Sequence, residues 1–262
     1  MAVPSMINPI DFTGRVALIT GGARGVGRGI TKRFLEQGAQ VVICGRNAPE
    51  TPIAVDGREA IFIAADVRDA GQVDNLIAEI KARLGRLDVV VNNAGGAPPA
   101  DPTTVSPRFS ESIIKLNLLA PLLVAQAANK IMQEQATGGS VVNIASVTVL
   151  RPAPLTAAYG AAKAGLVNLT QAHAIAWAPK VRVNAIIAGL IRTEQSHLHY
   201  GDEEGIKRVE ATIPMARMAE PADIADACLY LSSSLARYVT GAALAVDGGG
   251  EVPAFQEAAA GD

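Results

Sequence analysis

Tyr159 and Lys163 are the residues of this sequence with the clearest potential for chemistry. Side chains four residues apart lie on one face of a helix, and the Ala-rich segment 156–178 around them is predicted to be helical. A free tyrosine has a pKa of about 10, and a nearby ammonium stabilises its ionised form. The pair therefore predicts a phenol whose pKa is lowered by its lysine and which exchanges protons near neutral pH.

Two further polar residues are candidates for the same site. Ser146 follows the β-branched run 140–145, where its hydroxyl can hold a substrate oxygen; the alternative is a serine that only ends a strand. Asn117 lies inside the predicted helix 107–135, which is an unfavourable position for asparagine. Pro121 cannot donate a hydrogen bond to the carbonyl of Asn117. That carbonyl is then free to bind water, or the proline only kinks the helix.

A glycine-rich turn, "TGGARGVG" at residues 20–27, stands between a predicted strand and a predicted helix. Gly21, Gly25 and Gly27 lack side chains, so a pyrophosphate can approach the main-chain N–H groups at the positive end of the helix. The spacing differs from the more common G-x-G-x-x-G. A tight turn without a ligand is the alternative interpretation.

Short apolar runs alternate with longer amphipathic segments along the chain. Continuous apolar runs suit strands that are covered on both faces, as in a parallel sheet. The predicted strands are 15–20, 39–44, 60–65, 87–92, 140–145, 181–187 and 242–247. The predicted helices are 25–37, 70–84, 107–135, 156–178 and 222–233. We therefore predict an α/β fold, a Rossmann-type doubly wound parallel sheet of about seven strands with helices on both faces and ligands at the carboxyl ends of the strands.

The 262 residues are predicted to form a single domain. Its core spans about 12–250, and the ends at 1–10 and 251–262 are expected to be loosely held arms. The segment 45–59 contains two prolines, which leave little room for a regular crossover helix.

Composition argues against several classes of function. A net charge of −2 offers no basic surface to nucleic acid or membrane lipid, and no apolar run is expected to span a bilayer. Hydrophobic residues make up 49% of the chain and charged ones 18%, which suggests helices buried on more than one side. Cys44 and Cys228 lack metal-type spacing and are interpreted as buried apolar groups in a reducing compartment. We expect a cytoplasmic protein without a metal.

Taken in this order, the motifs resemble those of the short-chain dehydrogenases/reductases. The shared motifs are Thr20-Gly21-x-x-x-Gly25-x-Gly27, "NNAG" at 92–95, Asn117, Ser146, Tyr159-x-x-x-Lys163 and "DGGG" at 247–250. The resemblance covers about residues 12–250. It implies a nicotinamide-dependent oxidoreductase that passes a hydride between the cofactor and a carbonyl or secondary alcohol carbon of a small molecule.

The resemblance also implies roles for individual residues. Tyr159 would be the general acid/base, Ser146 would hold the substrate oxygen, and Lys163 would tune the phenol and hold the nicotinamide ribose. Asn117 would bind a water that links Lys163 to solvent. Besides Tyr159 and Lys163, the residues implied for cofactor binding are Gly21, Arg24, Gly25, Val26, Gly27, Arg46, Asp66, Val67, Asn93, Ala94, Gly95, Gly189 and Thr193.

The residue after the second strand bears on which dinucleotide is bound. Family members that use NAD usually carry an acidic residue there, whereas this chain has Gly45 followed by Arg46. A guanidinium suits a 2′-phosphate through paired, charge-assisted hydrogen bonds, and Arg24 could flank the same phosphate. NADP is therefore favoured and NAD is possible. The alternative is that Arg46 is a solvated loop residue.

The chain departs from the family pattern after its sixth strand, where Ala188 stands in place of the usual proline before Gly189. The loss of a fixed φ predicts a more mobile turn beside the nicotinamide. Thr193 can still bond the carboxamide. Asp66 and Val67 resemble the pair that holds the adenine ring.

The segment 190–204 falls where the family places a mobile lid over the substrate. His197, His199 and Tyr200 are candidates for substrate contact, and the alternative is that they are exposed loop residues. A metal held by the His-x-His pair is not expected, because no third ligand is apparent. His173 is interpreted as a packed helical residue.

The other wall of the substrate site is predicted to comprise 95–105, Val147 and Val149, which are small and apolar. Such walls favour a hydrophobic alcohol or ketone. Two alternative functions remain, namely an epimerase or dehydratase on the same scaffold and a dinucleotide-binding regulator without turnover. Relatives of the first kind usually carry a longer substrate domain, and those of the second tend to lose the tyrosine or the lysine.

The predicted helices 107–135 and 156–178 are apolar around most of their circumference. One face of each would cover the sheet, and the other needs a partner. Related enzymes pair these helices across two-fold axes. A homotetramer is therefore predicted, with a dimer as the second choice.

Overall fold

The computed structural model describes residues 9–255 and residue 259. Most of the two predicted arms, at 1–10 and 251–262, lies outside the described residues. In the described part of the chain, the strands in chain order are β1 (Val16–Thr20), β2 (Gln40–Gly45), β3 (Ala54–Val55), β4 (Arg58–Glu59), β5 (Ile61–Ala64), β6 (Val89–Asn92), β7 (Gly139–Ser146), β8 (Val181–Ala188) and β9 (Ala243–Val246).

Seven of these strands form one parallel sheet in the order β5-β2-β1-β6-β7-β8-β9. All five residues of β1 are buried, as expected for a strand with helices on both faces. The strand order reverses between β1 and β6. In sheets of this kind the crevice at the carboxyl ends of the two strands that flank such a reversal is the place where ligands bind.

Helices cover both faces of the sheet, so the predicted doubly wound α/β fold is confirmed. In the described residues the α-helices are α1 (Gly25–Glu36), α2 (Ala70–Leu84), α3 (Pro107–Ile114), α4 (Ala120–Glu134), α5 (Ala157–Trp177), α6 (His197–Tyr200), α7 (Glu203–Ala211) and α8 (Pro221–Ser232). Helices α1 and α8 pack together over one hydrophobic core. Helices α2 and α4 cover a second core on the opposite face, with α5 beside α4.

The segment 45–59, all of which the structure describes, contains no helix, as its prolines predict. Strands β3 and β4 form a two-stranded antiparallel hairpin there. The two residues at its turn, Asp56 and Gly57, have φ angles of +50° and +76°. Positive φ at both central residues is typical of the type I′ turn, whose twist matches that of a hairpin. The chain therefore crosses from β2 to β5 with this hairpin instead of a helix.

The predicted helix 107–135 is divided by a π-helical turn, Lys115–Leu119, between α3 and α4. Single π turns often lie at functional sites, and this one contains Asn117. By length and composition alone, Pro107–Glu134 is apolar enough to cross a membrane, so the expectation that no such run exists is wrong. In the fold, 44% of the most apolar 18-residue stretch of this segment is buried. Helix α4 packs against α2, α5 and the sheet. A core helix meets the same criterion.

Candidate functional site

A cleft of about 980 Å³ lies at the carboxyl edge of the sheet. It brings together every residue predicted for catalysis or cofactor binding except Asn117, which is fully buried behind it. The predicted substrate contacts Val147, Val149 and Tyr200 are not among the residues that line it. The predicted residues that line it are Gly21, Arg24, Gly25, Val26, Gly27, Arg46, Asp66, Val67, Asn93, Ala94, Gly95, Ser146, Tyr159, Lys163, Gly189 and Thr193. Residues from opposite ends of the sequence thus face one crevice.

The side chains of Thr20 and Asn93 attach the loop after β6 to β1. Thr20 Oγ1 accepts hydrogen bonds from the main-chain N–H groups of Asn93 and Ala94, each at 3.0 Å. The side-chain amide of Asn93 donates to Thr20 O at 2.9 Å, so this side chain holds the loop. A Cβ on Gly95 would lie 2.7 Å from Asn117 Oδ1, so a side chain there would collide with the asparagine.

Asn117 clamps the same loop from behind. Its Oδ1 accepts from Gly96 N at 2.9 Å, and its Nδ2 donates to Gly96 O at 3.0 Å and to Ile113 O at 3.0 Å. The side chain therefore holds the loop beside Lys163 both as a hydrogen-bond acceptor and as a donor. The expected water at the Asn117 carbonyl stays a prediction.

A row of buried polar side chains runs behind the site from β6 to α5. Asn92 Nδ2 donates to Pro121 O at 3.2 Å and to Asn143 Oδ1 at 2.9 Å. Asn143 Nδ2 donates in turn to Thr170 Oγ1 at 2.9 Å, and this hydroxyl donates to Leu166 O at 2.8 Å. The row connects α4, which follows the π turn, with α5, which carries Tyr159 and Lys163.

Lys163 is almost completely buried, with 3% of its surface exposed. Its Nζ donates to Ile144 O at 2.7 Å and lies 5.6 Å from the centre of the Tyr159 ring. Burial away from water disfavours the charged ammonium and lowers the pKa of Lys163 to about 8. The cation thus lies against the aromatic ring and under the end of β7.

Tyr159 departs from one expectation. Burial raises the pKa of its phenol above the ordinary value, and a hydrogen bond with Ser146 only partly opposes that effect. The predicted lowering of this pKa by Lys163 is therefore wrong for the chain by itself. The ammonium faces the ring and binds a main-chain carbonyl, while desolvation acts on the hydroxyl. Ser146 and Tyr159 are brought together as predicted.

The far end of the cleft carries a cluster of charges. Arg68 pairs with Asp66 through three hydrogen bonds, Nε to Oδ1 at 2.9 Å, Nε to Oδ2 at 3.2 Å and Nη2 to Oδ2 at 2.6 Å. This guanidinium holds the pKa of Asp66 at about 2, and the more distant Arg46 lowers it slightly further. Sequence reasoning missed Arg68, although its position two residues after Asp66 is visible in "DVRD". Val67, between them, is buried.

The turn after β8 is held closely at its base. Gly189 N donates to Val246 O at 3.0 Å, and a Cβ on Gly189 would lie 2.6 Å from Asp247 Cα. Four residues on, Thr193 N donates to Ser196 Oγ at 2.8 Å. The greater mobility expected from Ala188 stays a prediction.

Sequence reasoning also missed a charged pair beyond the carboxyl ends of β7 and β9. Arg151 and Glu251 form a partly buried ion pair between the loops that follow β7 and β9. A separation of 100 residues gives no sequence signal for such a contact. Tyr200, on α6, is half-buried, and His197 is exposed. The side chain of His199 lies outside the described residues.

The comparisons with known proteins agree with this geometry. A family model described as enoyl-(acyl carrier protein) reductase matches residues 21–251. The L-rhamnose 1-dehydrogenase (NAD(P)(+)) of Azotobacter vinelandii is 34% identical over 245 residues, which cover 90% of this chain and 96% of that protein. The 3α-hydroxysteroid dehydrogenase of Mediterraneibacter gnavus is 36% identical over 242 residues, 89% of this chain and 96% of that protein. The aldohexose dehydrogenase of Thermoplasma acidophilum matches with a TM-score of 0.85 and 29% identity, over 91% of this chain and 94% of that chain.

The chain belongs to the short-chain dehydrogenase/reductase family. As a short-chain dehydrogenase/reductase, it is an oxidoreductase that acts on CH–OH groups of small molecules with an NAD(P) cofactor.

The glycine turn fits the pyrophosphate of such a cofactor. Gly21 and Gly25 have positive φ, which favours glycine, and a Cβ on Gly27 would lie 2.3 Å from Gly21 O, so Gly27 has no space for a side chain. The N–H of Gly25, at the start of α1, donates to a carboxylate oxygen of Glu194 at 2.9 Å. An anion thus already lies at the N-terminus of this helix, where a phosphate is favoured. Sequence reasoning missed Glu194.

Proposed function

We propose that the chain transfers a hydride between NADP(H) and the carbon of a ketone or secondary alcohol, with Tyr159 as general acid/base. The observation that carries the proposal is the contact of Tyr159 with Ser146 in the cleft that also contains the glycine turn. In the reductive direction the Tyr159 hydroxyl donates its proton to the carbonyl oxygen. The dinucleotide, when bound, supplies the hydride to the carbonyl carbon.

The pKa of Tyr159 favours the role of proton donor. Because burial raises this pKa, the phenol keeps its proton at neutral pH until a substrate oxygen accepts it. Ser146 would hold that oxygen beside the phenol. Lys163 would return a proton from solvent to Tyr159 through the ribose of the cofactor. Asn117 would position the loop at Gly95 and the water next to Lys163.

Tyr159→Phe tests this role. We expect kcat/KM to fall by about 10²- to 10⁴-fold, the usual contribution of a general acid. The dissociation constant for NADPH should stay within about twofold, since the ring and Lys163 remain in place. Tyr238→Phe is the matched control, because Tyr238 is fully exposed. Turnover by Tyr159→Phe at the wild-type rate would remove Tyr159 from the reaction.

We propose that the cofactor extends along the cleft from Asp66 to Thr193. Asp66 and Val67 would hold the adenine ring, and the glycine turn with Val26 would hold the pyrophosphate. Residues 93–95 would contact the ribose side of the cofactor. Gly189 and Thr193 would hold the carboxamide. Every one of these residues faces the same cleft, which supports their assignment.

We propose NADP as the preferred dinucleotide because of Arg46. This exposed guanidinium lies near Asp66 at the adenosine end, and Arg24 is exposed in the same cleft. We expect Arg46→Ala to weaken NADPH binding by about 10- to 100-fold, the worth of a hydrogen bond to a charged group, and to leave NADH within about twofold. Calorimetric titration measures both, and Arg58→Ala on the β3–β4 hairpin is the control. Equal losses for the two dinucleotides would refute the preference for NADP.

The remaining proposals concern substrate and assembly. The names of the relatives include a sugar and a steroid, which supports an alcohol substrate but not its polarity. An apolar substrate stays a prediction that rests on Val147 and Val149.

We propose a cytoplasmic homotetramer. The assembly is supported by the apolar side chains that α5 and the π turn expose, Ile175 and Leu119. Light scattering should give four chains of 27.0 kDa, and the mass of a single chain would contradict it.

A further inference from the structure

The ion pair of Arg151 and Glu251 joins two loops next to the end of the cleft that contains Ser146. In the sheet, Ser146 is adjacent to Ala188, and Ala188 is adjacent to Val246. Arg151 follows Ser146 by five residues, and Glu251 follows Val246 by five residues. The pair therefore joins the two loops across the end of β8, beside the strand end that carries Ser146.

Tyr200 connects this pair to the reacting phenol. Its hydroxyl interacts electrostatically with Arg151 and Glu251, and also with Tyr159. The side chains of Arg151 and Glu251 are 40% and 28% exposed, so each can still make hydrogen bonds to a ligand. Three polar side chains, from the β7 loop, α6 and the β9 loop, thus interact with one another near Tyr159.

The chemistry of the pair restricts the substrate. An apolar substrate would take water away from the two charges and offer no hydrogen bonds in return, which is costly. A carboxylate substrate would be repelled by Glu251, which also neutralises Arg151. A neutral molecule with several hydroxyl groups can accept from the guanidinium and donate to the carboxylate at the same time.

We propose that Arg151 and Glu251 form a polar subsite that selects a neutral, hydroxyl-rich substrate such as a sugar or an alditol. This inference rests on the proposed function, and it competes with the apolar substrate predicted from Val147 and Val149. Arg151 and Glu251 determine which molecule is bound, and the reaction at Tyr159 is unchanged.

The test compares neutral aldohexoses and alditols with cyclohexanol and an aldonate. The wild type should oxidise a sugar or alditol best, and Arg151→Met and Glu251→Gln should each raise KM for that substrate at least tenfold. The KM for cyclohexanol and the dissociation constant for NADP should stay within about twofold. Arg83→Met, which removes an exposed arginine paired with Glu79 on α2, is the control.

Three outcomes would overturn the proposal. The first is a wild type that turns over cyclohexanol and no hydroxyl-rich compound, and the second is a wild type that prefers the aldonate. The third is an equal change in KM for all alcohols in the variants, as expected if the ion pair only stabilised the structure. If no alcohol is oxidised with either dinucleotide, the proposed function fails and this inference fails with it.

A second inference comes from Glu194 alone. Its carboxylate accepts the N–H of Gly25, one of the groups at the start of α1 that have no partner within the helix. The pyrophosphate of a dinucleotide needs the same donors and carries the same sign of charge. Both cannot bind Gly25 together, and their repulsion in the cleft disfavours a close approach.

We infer that Glu194 competes with the cofactor for the glycine turn, so that dinucleotide binding releases the start of the lid. Glu194 is adjacent to Thr193, whose N–H is bonded to Ser196 at the beginning of α6. A movement of Glu194 therefore reaches the segment that carries Tyr200. The carboxylate therefore weakens the binding of the dinucleotide.

Binding measurements without substrate test this inference. We expect Glu194→Ala and Glu194→Gln to bind both NADP and NADPH about 3- to 10-fold more tightly, the worth of one intramolecular hydrogen bond. Glu204→Gln removes a negative charge from an exposed lid position, where Glu204 pairs with Lys207, and should change nothing. Unchanged or weaker binding by both Glu194 variants would overturn the inference, as would equal tightening by Glu204→Gln.

Discussion

Replacement of Lys163 by methionine should change the pH dependence of stability in a calculable way. The pKa of the buried ammonium falls from its ordinary value of 10.5 to about 8. This difference corresponds to about 3 kcal/mol against the folded state at pH values where the lysine is charged in both states. Methionine has a similar length and no charge, so the variant lacks this cost.

The sign follows from proton binding. Below pH 8 the folded and unfolded chains both hold the proton, and the full cost is present. Between about pH 8 and 10.5 the unfolded chain holds more protons than the folded one, so the free energy of unfolding rises with pH. From pH 7 to pH 9.5 the wild type should gain about 2 kcal/mol relative to Lys163→Met. The loss of the bond to Ile144 O adds an offset that varies little with pH.

Urea denaturation of the dinucleotide-free protein, at one protein concentration and both pH values, measures this difference. Other groups that titrate in this range cancel between the two proteins. Lys207→Met, which removes an exposed lysine of α7, controls for the loss of a charge. If the stability difference between wild type and Lys163→Met is the same at pH 7 and pH 9.5, the buried ammonium does not have the lowered pKa.

Three further predictions concern the scaffold of the site. Gly27→Ala places a Cβ 2.3 Å from Gly21 O, so calorimetry should show at least a tenfold loss of dinucleotide affinity. Asp88→Ala removes the acceptor for Val16 N and the carboxylate that pairs with Arg86, and the free energy of unfolding measured in urea should fall by about 2–3 kcal/mol. Burial raises the pKa of the Cys44 thiol to about 12, so a thiol reagent should modify it at pH 8 only after unfolding; rapid reaction of the folded protein would contradict this.

The fold could be predicted from the sequence because the patterns that indicate strands and helices are local and recur along the chain. A strand such as β1 is buried along its whole length, so its five residues are all apolar or small, and the alternation with amphipathic segments leaves few other topologies. The π turn at Lys115–Leu119 was not predictable, because a helix with one wider turn has almost the same periodicity. The β3–β4 hairpin is signalled only by Asp56 and Gly57.

Some residues of the candidate site are also predictable from local sequence, and others are not. Tyr159 and Lys163 are found from their spacing on one helix. The pairs Arg151–Glu251 and Glu194–Gly25 join distant parts of the chain, so no local pattern announces them. The direction of the Tyr159 pKa depends on burial and on where the ammonium points, which the spacing of two residues does not specify.

The buried row from Asn92 through Asn143 to Thr170 has a mechanical consequence. A slide of α5 along the sheet by one helical turn, about 5.4 Å, would move Thr170 Oγ1 away from Asn143 and leave the Asn143 amide without its acceptor inside a dry core. Such a slide therefore costs more free energy than a change of conformation in an outer loop. The proton-handling groups keep one alignment, while the loops that meet the substrate can vary around them.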